Sequence, residues 1–176
     1  MKQLHRRLFY QTIPSRSFWL QRVAIAVYDD YVANAGKKMD TIERNIVAEL
    51  EEIPSRAKEE EWSGESPWTR AVKQALVDVG RKFHWLTVAN GCDSDDGSEW
   101  LYDVVWYQAD KSDHFVDIFL VAESEWEGEN AIKVDFEKLL VARTKYRVMI
   151  FQAGSDENIE RIAAQMKLWV AKFRRA

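Results

Sequence analysis

The period of the apolar residues changes along the chain, and that change restricts the fold more than any other feature. From Pro67 the positions Val72, Leu76, Val79 and Phe83 recur at helical spacing, behind a Ser66 cap and with Pro67 in the first helical position. Beyond this helix the pattern alternates, and three stretches read as strands: His84–Ala89, Trp100–Gln108 and Phe115–Glu125. Asn90–Ser98 is a plain loop signal, and Ala109–Asp113 is short enough for an antiparallel hairpin. Helical spacing returns over about Ala131–Lys145, with Ile132, Phe136, Leu139 and Leu140 as the inner face. Tyr146–Phe151 is then a continuous apolar run, as expected of a buried strand. A helix between the third and fourth strands implies a crossover, so the sheet is mixed.

The flanks read as helical. Trp19, Val23 and Val27 repeat at spacing four after Ser15 or Ser17, and Gly36 is a natural stop, whereas residues 1–16 look basic and irregular. Asp40 with Glu43 forms a capping box for a second helix striped by Ile42, Ile46, Leu50 and Ile53, which Pro54 closes. Lys58–Gly64 is polar and reads as an exposed connection. Ser155 or Asp156 caps a last helix carrying Ile159, Ile162, Met166, Trp169 and Phe173. With no repeat or linker, the chain is one domain over 1–176. It has an N-terminal helical part (1–62), a mixed core (67–151) and a C-terminal helix (155–176).

Of 176 residues, 47% are hydrophobic and 31% charged, which excludes disordered and low-complexity classes. No apolar run is long enough for a membrane span and no signal segment opens the chain, so a cytoplasmic protein without a membrane partner is expected. The single cysteine, Cys92, excludes an internal disulfide framework and a cysteine-based zinc site. A net charge of -4 argues against coating nucleic acid by bulk charge, but not against an enzyme whose metal ion supplies positive charge.

Three carboxylates stand out. Asp103 lies among Leu101, Val104, Val105 and Trp106, where an acid needs a reason, and Glu123 and Glu125 close the third strand on one face. A hairpin turning near Lys111 or Ser112 puts Asp103 opposite Phe119–Val121, a few residues from Glu123. The expectation is three acids converging at one end of the sheet, where a hydrated divalent ion offsets their charge.

Leu101-Tyr102-Asp103-Val104-Val105, then Leu120–Glu125, then a helix, then Tyr146–Phe151, resembles the core of the PD-(D/E)xK nuclease superfamily, the restriction-endonuclease-like fold. The resemblance covers residues 67–151 in the order α-β-β-β-α-β, a mixed sheet of about four strands with added N- and C-terminal helices. It implies Asp103 and Glu123 as ligands of Mg²⁺ or Mn²⁺, with a backbone carbonyl near Ser124 beside them. Glu125 stands where the family usually has Lys, and Tyr102 replaces Pro. Lys138 on the following helix is the substitute cation, Lys133 a weaker one. The implied activity is metal-dependent hydrolysis of a phosphodiester in DNA or RNA.

A non-catalytic interaction or regulatory protein on the same scaffold is the alternative, and a small-ligand domain the third reading. The blander assignments are a solvated strand end for Glu123 and Glu125, Asp117 as a lesser ligand candidate, and packing or surface roles for His5, His84 and His114. Asp93–Ser98 lacks a full calcium-loop pattern. Arg143, Lys145 and Arg147, with Arg6 and Arg7, read as a solvated basic rim or a backbone-phosphate contact. The stripe on the last helix is core packing, or a homodimer seam if exposed.

Overall fold

In the computed structural model the described residues are 7–13, 23–29, 39–98 and 100–173, the first two segments by their backbone alone. The elements in chain order are β1 (Arg7–Ile13), β2 (Val23–Asp29), α1 (Thr41–Glu51), α2 (Ile53–Glu59), α3 (Ser66–Lys82), β3 (Leu86–Val88), β4 (Val104–Ala109), β5 (Phe115–Glu125), α4 (Glu129–Val141), β6 (Tyr146–Gln152) and α5 (Asp156–Lys172). The strands form one sheet in the order β1-β2-β6-β5-β4-β3. The body of it is an open four-stranded mixed sheet: β3, β4 and β5 run antiparallel as a meander, and β6 lies parallel to β5 after the α4 crossover.

Side-chain alternation sorts the core into two layers. Val104, Trp106, Leu120, Ala122, Tyr146, Val148 and Ile150 face α1, α2 and α3. Val105, Val121, Met149 and Phe151 face α4 and α5. The chain is thus an α/β protein with helices on both faces of the sheet. Strand β6 is buried along almost its whole length because β2 and β5 cover both its edges while helices cover its faces. Helix α3 lies directly on β3 and β4. A Cβ at Gly80 would meet Thr87 and the Trp106 indole at 2.8 Å, and the Trp106 Nε1–H donates to the Leu76 carbonyl at 3.0 Å.

Several sequence-based expectations change. The predicted first helix is contradicted where it is described, because Val23–Asp29 is strand β2, paired antiparallel with β6. The supposedly irregular opening contains β1. Trp19, Gly36, His5 and Arg6 lie outside the described residues. Pro54 does not end the helical region; it occupies the first turn of α2, where a proline needs no amide donor. The capping box at Asp40 and Glu43 forms as read, and Asp40 also accepts a hydrogen bond from the Tyr146 hydroxyl. Residues 100–103 precede the second core strand rather than opening it, and α4 ends at Val141 instead of Lys145. Ile159, Ile162 and Met166 of α5 are buried against the sheet, so that part of the stripe is core, with Trp169 and Phe173 half-buried beside it.

Candidate active site

The C-terminal half of β5 carries the acids out of the core. Leu120, Val121 and Ala122 are fully enclosed, Glu123 is 5% exposed, and Ser124 and Glu125 begin to emerge. Across the sheet, β4 starts at Val104, which pairs with Ala122. Register shifts between Trp106 and Tyr107 and between Gln108 and Ala109 displace the ladder from a regular hairpin count. Asp103, one residue before Val104, therefore stands level with Glu123 rather than opposite Phe119–Val121.

Glu123 faces α4. Its Oε1 accepts from Lys138 Nζ at 3.3 Å, and the same Nζ lies 2.6 Å from Asp135 Oδ1, three residues earlier on the helix. Burial, reinforced by the charge of Asp103, pushes the Glu123 carboxyl up to about 7, although Lys138 pulls the other way. Hydrogen bonding to Asp135 first, and then the Glu123 charge, hold the Lys138 ammonium above its ordinary value. Glu125 lies along the same edge. Its Oε1 accepts the Glu127 amide at 2.7 Å, and burial together with Asp135 raises its carboxyl above the usual range. Tyr102 closes this side, its hydroxyl 3.4 Å from the Lys138 carbonyl and raised in pKa by burial and by Glu123.

Asp103 turns to the α3 side. Its Oδ2 accepts two hydrogen bonds from Ser124, from the amide at 2.9 Å and the hydroxyl at 2.7 Å. Its Oδ1 lies 3.7 Å from Lys73 Nζ, an almost wholly buried ammonium on α3. The lysine neutralises the acid, and Ser124 fixes the orientation of the carboxylate.

The expected meeting of three acids is corrected to a pair and an outlier. Asp103 and Glu123 are neighbours that feel each other's charge, while Glu125 is engaged with Asp135. Among the described residues no group of three or more His, Cys, Asp or Glu side chains is placed to hold a metal ion. Lys138 reaches the site; Lys133 turns instead to Glu137 at 3.6 Å. Asp117 is exposed at the far end of β5. Asp95 accepts from the Thr87 amide and hydroxyl at 2.8 Å, and Asp93 pairs with Arg81, so their loop is tied to the fold through these acids. His114 pairs with Asp110 at 3.4 Å, remote in sequence from the acids. The basic rim is not a unit: Arg147 is 1% exposed and its Nε–H donates to the Ala142 carbonyl at 3.1 Å, while Lys145 lies over the rings of Phe119 and Tyr146.

Lys73, Asp135 and the Ser124 side chain belong to this site and are absent from the sequence-based set. Lys73 alone carried a readable signal. It falls four before Val77 and seven before Gly80, within the buried stripe of α3, where an ammonium must find an acid.

A hydrated divalent ion of the Mg²⁺ type takes one or two carboxylates and keeps several waters, and Asp103 and Glu123 are the neighbouring acids that would supply them. Among the described residues, Oδ1 of Asp103 lies 3.7 Å from Lys73 and Glu123 is bonded through Oε1. No protein-family model matches the chain, and no curated protein or solved structure matches it either.

Proposed function

We propose that the chain is a metal-dependent phosphodiester hydrolase acting on nucleic acid, a variant of the restriction-endonuclease-like scaffold with its cation on α4. The observation that carries this reading is the buried Glu123, level with Asp103 at the sheet edge and touched by Lys138. The order α3-β3-β4-β5-α4-β6, with β6 parallel to β5, supports the same reading because it matches the element order the resemblance implies.

Asp103 and Glu123 would hold Mg²⁺ or Mn²⁺, which when bound neutralises phosphate charge and acidifies water. Lys138, kept protonated by two carboxylates, binds a non-bridging oxygen of the scissile phosphate as charge builds there. Glu125, two residues beyond Glu123 on the same strand edge, would orient the attacking water. Ser124 keeps Asp103 oriented throughout.

Calorimetric titration with MgCl₂ and MnCl₂ tests this directly. The wild-type protein binds, and Asp103→Ala and Glu123→Ala each abolish both binding and metal-dependent cleavage of labelled DNA and RNA while remaining folded. Unchanged cleavage in both variants removes the site. A non-catalytic interaction protein is the second reading, favoured by the prior engagement of Asp103 with Lys73 and Ser124. Wild-type protein that takes up neither ion would leave that reading standing.

A further inference from the structure

A groove of about 890 Å³ opens between α2, the N-terminal half of α3 and the turn at Asn90 and Gly91. Three of its side chains are cationic: Arg56 on α2, and Arg70 and Lys73 one turn apart on α3. Arg70 is exposed and has no carboxylate partner among the described residues; Arg56 is exposed and lies over the Trp62 ring at 5.4 Å. Two acids share the groove. Glu60 already accepts from the Trp62 indole at 2.7 Å, and Glu65 is exposed near the start of α3. Lys73 lines the groove and also touches Asp103, so the groove and the acids are joined through one buried ammonium.

We infer that this groove binds the phosphate backbone of a single nucleic-acid strand and leads it to the acids. The inference rests on the reading of Asp103 and Glu123 as a cleavage site. Cations on two helices, set along an open groove, match a ligand whose negative charge repeats along its length; a lone phosphate would use only one or two of them. Recognition of this kind positions the strand and carries little sequence information.

The test uses the full chain in EDTA, so that binding is read without cleavage, with a fluorescein-labelled single-stranded oligonucleotide followed by anisotropy at several salt concentrations. Each lost phosphate contact lowers the salt slope by about 0.7, or about fivefold in affinity at 0.1 M salt. Arg56→Gln combined with Arg70→Gln should therefore weaken binding by about 25-fold and flatten the slope by about 1.4. Arg161→Gln, on the opposite side of the sheet, should change neither. Wild-type protein that does not bind the oligonucleotide, or a double variant that binds like wild type, overturns the groove. Addition of MgCl₂ separates the two proposals. A strand bound through Arg56 and Arg70 yet never cut sinks the hydrolase reading and leaves the groove. A strand cut equally well by wild type and double variant sinks the groove and leaves the acids.

Discussion

Asp103 and Glu123 occupy level positions on neighbouring strands, yet the two sides of the sheet treat them differently. On the α3 side, Asp103 receives two hydrogen bonds from Ser124 and lies near a buried lysine. On the α4 side, Glu123 is more deeply buried and pairs, among the described residues, with Lys138, which it shares with Asp135. The consequence is electrostatic. Burial of the second carboxylate outweighs one half-exposed ammonium and pushes it up to about 7. The α3 side is an anchored wall, and the α4 side holds a carboxyl that burial keeps from ionising until near neutral pH.

The wall can be broken at its centre. Trp106 is fully buried and its indole donates to Leu76, so Trp106→Ala removes both packing and a backbone contact. A loss of about 3–5 kcal/mol is expected in urea unfolding, enough to unfold a marginal domain. If the anchoring of Asp103 depends on α3 resting on this indole, cleavage should fall along with stability.

The α4 side responds to pH, and Glu123→Gln sharpens the contrast. The folded protein retains the Glu123 proton up to about pH 7, while the unfolded chain releases it near the ordinary value of 4.5. Between those values the native state binds more protons, so stability falls as pH rises and is greatest below the lower value. At about 1.4 kcal/mol per pH unit, the fall attributable to Glu123 is on the order of 3 kcal/mol. Glutamine lacks this titration. Urea unfolding in EDTA should show the variant overtaking wild type as pH rises through the window, with the difference level above it. Parallel pH profiles for the two proteins would mean that Glu123 is not the uncompensated group.

Where the hydrophobic period was strong, the sequence was sufficient. The boundaries of β5 are those its alternation implies, and Ser155 caps α5 as read; Ser66 does not cap α3 but is its first residue, behind Glu65 at an N-cap position that makes no side-chain bond. Strand β2 fails for a physical reason. Val23 and Val27 fit helical spacing, but Val23, Ile25 and Val27 also alternate, and pairing with β6 decides between the two periods. The level placement of Asp103 and Glu123 was not readable, because register shifts within β4 leave no mark in composition. Lys138 could be named from its helix, but its bond to Asp135 and the split of the acids between two faces depend on how α3 and α4 approach the sheet.

Gly80 tests how closely that approach is fixed. Read in sequence, the glycine weakens the last turns of α3; in the structure it is the point where helix backbone meets Trp106 and Thr87. Gly80→Ala should cost about 1–3 kcal/mol in urea unfolding despite alanine's better helix propensity, because the added methyl meets a buried indole. A stabilised variant would show that α3 can lift from the sheet.

The smallest expected effect lies in Ser124, and it bears most directly on the difference between the two acids. Ser124→Ala deletes the 2.7 Å hydroxyl bond to Asp103 and leaves the amide bond, so the loss of stability should be only about 1 kcal/mol. Its informative readout is metal affinity. If the hydroxyl orients Asp103 for a cation shared with Glu123, calorimetry with MnCl₂ should show weaker binding in the variant, with cleavage reduced in proportion. Should the serine instead hold Asp103 away from Glu123 and against Lys73, the same substitution would free the carboxylate and metal affinity would rise. A rise would make the anchored side a restraint on the site, and the two acids would act as a pair only after Asp103 is released.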